Sequence, residues 1–333
     1  VLTNKANYFV NLGYSVTIIT TDQKNRTAYF ELDPKIVCID LGINYTDDTD
    51  KSVLIKVFSF IAKQHKHYLA LKKELLKIKP DVVISMFDND STFLYKIKDG
   101  SKKVLEIHFS RYKRLQYGRA GLLKWIDLYR SKQDLSIAKK YDRFVVLTDE
   151  DKSYWGTLSN IEVIPNANSF IPSRHALLEQ KKALAIGRFD YQKGFEDLIQ
   201  AWQIIHVRSP DWILNIYGHG PLKDKFERLI DSLNLKSTVF LKEPRKDVEA
   251  VYLDHSILAM TSRYEGLPMV LLEAQSCGLP LVAYACKCGP RDIIHENGIL
   301  VEEGNIASMA DSLLRLTQDI DLRMKMGAFS RDN

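Results

Sequence analysis

Cysteine is scarce in this chain: four in 333 residues, Cys38, Cys277, Cys286 and Cys288. They are too few and too irregularly spaced for a disulfide framework, which points to a reducing, cytoplasmic setting. Cys286-Lys287-Cys288 is half of a metal site at most, because no second Cys or His pair stands at ligand spacing, and no metal is expected. Also absent is any run of about 18 apolar residues, so no segment is expected to span a bilayer, and no signal peptide is visible. No G-x-G-x-x-G falls between a strand and a helix, which removes a nicotinamide-dependent dehydrogenase. The basic half has no aromatic-basic interleave and no zinc module, so a nucleic-acid partner is not expected.

What is present describes a globular protein, with 45% hydrophobic and 27% charged residues. Its length exceeds what one core usually supports, so two domains are expected. Charge is uneven: residues 1–170 hold 27 Lys and Arg against 20 Asp and Glu, and the remainder is slightly acidic. The excess gathers in KSVLIKVFSFIAKQHKHYLALKKELLKIKP, residues 51–80, where apolar positions recur at helical spacing until Pro80 and Glu74 is the only acid. Such a helix suits an anionic lipid surface, or is a solvated face whose Lys stems cover apolar neighbours.

Short β-branched runs without polar alternation, among them YSVTIITT, PDVVISMF, KKVLEIHF, DRFVVLT, KALAIGRF, WILNIYG, STVFLK, ILAMTS and LPLVAY, alternate with helical segments. That rhythm predicts parallel α/β sheets covered on both faces. IEVIPNANSFIPSRHALLEQKK, residues 161–182, breaks it with two prolines and polar residues. The expected organisation is therefore a first domain over 1–165, a linker over 166–182 and a second domain over 183–333, each doubly wound and Rossmann-like, facing a common cleft.

Chemistry-bearing residues concentrate in the second half. In LAIGRFDYQKGFEDLIQAW a strand should end near Ile186 and a helix begin near Phe195, with Arg188 and Lys193 in the loop between. Two cations beside a helix N-terminus suit a diphosphate; the alternative is two surface cations. LNIYGHGPLKDKF repeats the arrangement, with Gly218 and Gly220 where the backbone turns and Pro221 suited to a first helical position. In RYEGLPMVLLEAQSCGLPLVA, Pro268 should start a helix, leaving the amides around Gly266, Leu267 and Met269 free to face a ligand. Glu265 precedes that helix and Glu273 lies inside it, so two carboxylates approach one extended ligand at separate points. Carboxylates accept from paired hydroxyls, and a phosphate flanked by hydroxylated rings describes a nucleotide sugar. The alternative is acids offsetting the helix dipole.

RYEGLPMVLLEAQSCGLPLVA followed by GPRDIIHENGILVEEGN resembles the C-terminal signature of retaining GT-B glycosyltransferases of family 4, with the E-x7-E motif on Glu265 and Glu273. GRFDYQKG is similar to the family's G-R-x-x-x-x-K-G, and VIPNAN to its domain-joining P-N segment. The likeness covers most of residues 161–327, while the first half matches in strand order and in His108 of VLEIHFS.

The resemblance implies transfer of a sugar from a UDP- or GDP-sugar to a saccharide or lipid-linked saccharide, with retention of configuration and no cofactor or metal, in polysaccharide or glycolipid assembly. Arg188 and Lys193 would hold the diphosphate and stabilise its growing charge. Glu273 would take the ribose hydroxyls and Glu265 those of the transferred sugar. The segment Gly266, Leu267, Pro268 and Met269 would face phosphates and sugar, with Gly218, Lys242 and Arg245 bordering the nucleotide and His108 reaching the reacting sugar. Ala285 stands where relatives often have Asp, and Lys242 where they often have Gly. VLTNKANYFVNLGYSV reads as the helix after the family's first strand and glycine-rich loop, and MKMGAFSRDN stops before its last helix, so both are expected to be missing. The competing readings are a catalytically weak nucleotide-sugar-binding protein of the same fold, and a basic nucleic-acid-binding protein. Location at the inner face of the membrane would suit a lipid-linked acceptor.

Overall fold

The computed structural model describes residues 1–24, 26–28, 30–48, 52–113 and 121–332. The chain divides into two compact units. One comprises Val1–His108, Trp125–Val146 and Thr157–Ala167; the other comprises Phe109–Lys124, Leu147–Gly156 and Asn168–Asn333.

The first unit opens with α1 (Leu2–Asn11), β1 (Thr17–Thr20) and β2 (Val37–Asp40). There follow α2 (Val53–Ile78), β3 (Val82–Ser85) and β4 (Lys102–Glu106), then α3 (Leu122–Ala138) and β5 (Arg143–Val146). After α4 (Asp149–Tyr154), which belongs to the second unit, β6 (Ile161–Val163) returns to the first. β1 and β2 form a parallel pair, and β3 to β6 form a four-stranded parallel sheet in sequence order. The helix anticipated over 51–80 is α2, whose first anticipated residue, Lys51, lies outside the described residues. It ends because Lys79 turns left-handed and donates its amide to the Leu75 carbonyl at 2.8 Å; Pro80 could not continue the ladder.

The second unit runs β7 (Lys182–Ile186), α5 (Phe195–Arg208), β8 (Ile213–Tyr217), α6 (Lys223–Ser232), β9 (Val239–Lys242) and α7 (Val248–Leu253). It continues β10 (Ile257–Met260), α8 (Met269–Ser276), β11 (Leu281–Tyr284), α9 (Pro290–Ile293), β12 (Gly298–Val301), α10 (Ile306–Gln318) and α11 (Ile320–Asp332). Six parallel strands lie in the order β12-β11-β10-β7-β8-β9. β10 and β11 are buried at every residue, which is why their sequences are unbroken apolar runs. Trp202, Phe226 and Leu313 from α5, α6 and α10 belong to one buried cluster with Ala183 and Ile216. Tyr252 and Leu271 from α7 and α8 belong to another, with Leu184 and Leu258. Alternate residues of one strand feed the two clusters, so the sheet has helices on both faces.

Sequence reading and structure differ locally. Ile161–Val163, read within the break over 161–182, is strand β6, paired with β5; three residues with an exposed Glu162 carry too short a pattern to stand out. Helix α6 starts at Lys223 rather than at Pro221: the Leu222 amide is taken by the Phe189 carbonyl of the loop after β7 at 2.9 Å, and the Lys223 amide closes a turn on the Gly220 carbonyl at 3.3 Å.

Candidate functional site

The strand order of the second unit reverses between β7 and β10, its neighbours at the sheet centre. From there the chain order runs outward in both directions, and the loops leaving β7 and β10 lie side by side at the strand carboxyl ends, where α/β sheets ordinarily bind ligands. Arg188 and Lys193 occupy the first loop and Glu265 the second.

These two loops are tied together by close bonds. The Arg263 amide donates to the Gln192 carbonyl at 2.8 Å, Gln192 Nε2 to the Tyr264 carbonyl at 2.9 Å, and Thr261 Oγ1 to the Lys193 carbonyl at 3.1 Å. Gly194, with φ of 59°, takes a conformation that favours glycine, and a Cβ there would stand 2.3 Å from the Thr261 carbonyl oxygen. The fit closes over Gly187, where a Cβ would come within 3.0 Å of the Lys193 side chain, and over Gly218, where it would lie 1.9 Å from the Gly187 carbonyl oxygen. Glycines at 187, 194 and 218 therefore let backbone approach backbone beneath Lys193.

Lys193 Nζ donates to Glu265 Oε1 at 2.7 Å, both side chains being largely buried. Gln192 Nε2 reaches the other oxygen, Oε2, at 3.5 Å. Arg188 stays exposed, its Nε 3.5 Å from Asp190 Oδ2. Beyond Glu265, Gly266 and Leu267 are buried, and Pro268 precedes α8. Among the described residues the amides of Gly266, Leu267 and Met269 donate to no backbone carbonyl outside the helix itself. Amides left over at the start of a helix are ordinarily satisfied by water, a side chain or a ligand.

Glu273, near the middle of α8, has a separate set of partners: Ser169 Oγ donates to Oε1 at 2.5 Å and Tyr252 hydroxyl to Oε2 at 2.7 Å. Burial, followed by the charge of Glu273, pushes the Tyr252 hydroxyl well above its ordinary pKa, so it remains a donor. Among the described residues Glu265 and Glu273 share no hydrogen-bond partner. Ser169, Tyr252 and Gln192 were not singled out in the sequence; neither Ser169 nor Tyr252 stands in a motif, and only folding brings them to Glu273.

The remaining candidates are placed less uniformly. Gly218 donates its amide to the Lys242 carbonyl at 2.9 Å, which brings the end of β9 beside the site. Lys242 Nζ sits 5.0 Å from the Phe240 ring, and Arg245 is exposed in the loop before α7. His108 belongs to the first unit, two residues beyond β4. Its Nε2 is 3.1 Å from Glu106 Oε1, and its Nδ1 is 3.4 Å from Asn166 Nδ2. Burial raises the Glu106 carboxyl, but His108 and Lys5 together outweigh it and leave the pKa below its ordinary value.

Cys286 and Cys288 are buried, with Cys288 Sγ 3.5 Å from Asp151 Oδ1; burial pushes both thiols up. Among the described residues no three His, Cys, Asp or Glu side chains gather as metal ligands, and no helix is long and apolar enough to cross a membrane. A cavity of about 560 Å³ in the second unit, lined by Asp197, Arg263, Arg291 and Glu303 among others, includes none of Arg188, Lys193, Glu265 or Glu273. Bonded loops and unpaired amides, rather than an enclosed void, mark the site.

The fold, parallel α/β sheets in two units, is of the GT-B class. Residues 169–333, all within the second unit, match the family Glycosyl transferases group 1. Over its length the chain is 29% identical to an uncharacterized glycosyltransferase of Haemophilus influenzae, across 98% of this chain and 88% of that protein. It is 36% identical to the amylovoran biosynthesis glycosyltransferase AmsD of Erwinia amylovora, across 48% of each. A crystal structure of a Staphylococcus aureus TarM variant in complex with Fondaparinux, alpha-GlcNAc-glycerol and UDP superposes with a TM-score of 0.70 at 25% identity, over 80% of this chain and 55% of that one. The chain thus spans about half the length of AmsD and of TarM.

Proposed function

We propose that the chain transfers a sugar from a nucleotide-sugar donor, UDP- or GDP-linked, to a saccharide or lipid-linked saccharide, with retention of configuration as in family 4. The carrying observation is the Lys193–Glu265 pair at the switch point, set beside Arg188 and the unpaired amides that open α8. A pyrophosphate fits cations and amides; a hydroxylated ring fits each carboxylate. The UDP in the TarM complex supports this choice of donor.

Lys193 carries three donor hydrogens, so it can keep Glu265 while bonding a phosphate oxygen. Held in this way, Glu265 is oriented toward sugar hydroxyls, and Lys193 and Arg188 stabilise the negative charge that grows on the diphosphate as the glycosidic bond breaks. Charge neutralisation by side chains and helix end makes a metal unnecessary. Glu273, fixed by Ser169 and Tyr252, receives the ribose. The departing phosphate oxygen takes the acceptor proton in a front-face attack.

The test is a thermal-shift series with UDP-, GDP- and ADP-sugars. One nucleotide class raises the melting temperature of the parent chain and raises that of Arg188→Ala clearly less, because a ligand that binds only the folded state stabilises it in proportion to the logarithm of its affinity. Equal shifts in both proteins remove the phosphate assignment. The weak-binder reading is separated by turnover: a ligand that shifts melting without any sugar transfer or donor hydrolysis favours it.

A further inference from the structure

Helix α2 presents the wrong face to water. Toward the first unit it buries His67, Leu71 and Leu75. Outward, at helical spacings of three, eight and seven, it displays Phe58 (73% exposed), Ile61 (60%), Leu69 and Leu76. A surface helix ordinarily turns charge outward on this side. The apolar line is flanked by exposed Lys72, Lys73 and Lys77, and the one acid of α2, Glu74, lies off it toward the packed side.

Helix α3 extends the same surface. Gln64 and Tyr68 of α2 and Gln133 and Ile137 of α3 line one cavity of the first unit, together with Phe93 and Tyr95 from the segment after β3. Each leads into a strand of the same parallel sheet, α2 into β3 and α3 into β5, so they run in the same sense. With those positions around one cavity, the earlier turns of α3 lie on the same side of it as the earlier turns of α2. There Trp125 (71% exposed) and Tyr129 (70%) project, with Lys132 following. The acids of α3, Asp127 and Asp134, are buried.

We propose that the outward faces of α2 and α3 form a docking surface for an anionic lipid bilayer. Phe58, Ile61 and Leu69 enter the headgroup–acyl boundary, Trp125 and Tyr129 lie at headgroup depth, and the lysines meet lipid phosphates. Charge selects this occupant over a second copy of the chain: two such faces would set lysine against lysine with no carboxylate to oppose it.

The experiment is co-flotation of the full chain with vesicles, without donor or acceptor, so it is independent of the proposed transfer reaction. Vesicles of phosphatidylglycerol mixed with phosphatidylcholine bind the chain about a hundredfold better than phosphatidylcholine alone, and the preference falls with salt. Phe58→Ser with Ile61→Ser lowers binding about tenfold, whereas Val207→Ser, an equally exposed apolar residue of the second unit, leaves it unchanged. Should the Phe58/Ile61 variant melt differently from the parent, Lys72→Gln with Lys73→Gln decides, because it removes charge alone; reduced flotation supports the surface. No flotation of the parent, or parent-like flotation of both double variants, overturns the proposal. So does a vesicle-free dimer of the parent that Phe58→Ser with Ile61→Ser dissociates.

Discussion

Lys193 and Glu265, 72 positions apart in sequence, meet at 2.7 Å across the switch point of the second unit. Neither loop alone would place either charge: the Lys193 chain lies over Gly187, and Glu265 stands where its loop is bonded to Gln192. In this pair the lysine sets the carboxylate and the carboxylate sets the lysine, so a change at one end is felt at both.

Glu265→Gln keeps the shape and one acceptor oxygen but removes the charge that orients Lys193 and receives sugar hydroxyls. Turnover is expected to fall about a hundredfold or more, while affinity for the nucleoside diphosphate changes by less than about threefold. Steady-state kinetics beside calorimetry with UDP or GDP checks both. Unchanged turnover would take Glu265 out of the sugar site.

Arg188→Ala and Lys193→Ala each remove a cation from the diphosphate position. Calorimetric affinity for the nucleoside diphosphate should drop about tenfold to a hundredfold for either. Lys193→Ala should also lower stability, because it leaves Glu265 as an unpaired buried carboxylate, whereas exposed Arg188 should not. Equal denaturation midpoints for the two variants would contradict that division.

Tyr252→Phe isolates the second carboxylate. It removes the donor to Glu273 Oε2 and leaves the aromatic packing in place. If Glu273 holds the ribose, affinity for the whole nucleotide falls about threefold to tenfold while affinity for inorganic pyrophosphate stays as it was. A parallel loss for both ligands would assign Tyr252 to the fold rather than to the nucleotide.

Much of this site was legible because its signals are local. Gly194 followed by Phe195 marks the end of a loop and the start of α5, and Pro268 marks the opening of α8, so both helix starts were legible. Strand order is not local, and nothing in ILAMTS states that β10 lies against β7 rather than at an edge. The partners of Glu273 were hidden for the same reason: Ser169 lies 104 positions away, in a stretch that reads only as linker. Strand β2, KIVCID with an exposed Val37, and strand β12, four residues beginning at Gly298, are short and partly exposed, and neither stood among the strand-like runs.

Gly218→Ala tests the close packing beneath the site without touching a charge. The added methyl would stand 1.9 Å from the Gly187 carbonyl oxygen and 2.8 Å from the Phe189 ring, and neither group can retreat without moving β7 or the core. Stability should fall by about 3 kcal/mol or more, read from urea denaturation. Diphosphate affinity should fall with it, since the displaced segment runs directly into Arg188. A loss below about 1 kcal/mol would show that the loops yield easily and that the glycine is there for other reasons.

Asp90, in the first unit, gives a prediction about pH. Burial is the main cause that lifts its carboxyl to about 6; the Ser85 hydroxyl opposes the shift and the neighbouring charge of Asp88 adds to it. An acid whose pKa is higher folded than unfolded binds more protons in the folded state. Stability therefore falls as pH rises from about 4 to about 6, and the full cost is present above that window. Asp90→Asn removes the titration, so its unfolding free energy should exceed the parent's by about 3 kcal/mol near pH 8 and match it below about pH 4. A gain of the same size at both pH values would mean that shape rather than charge is at issue, and a loss at both would mean that the carboxylate is needed by its neighbours.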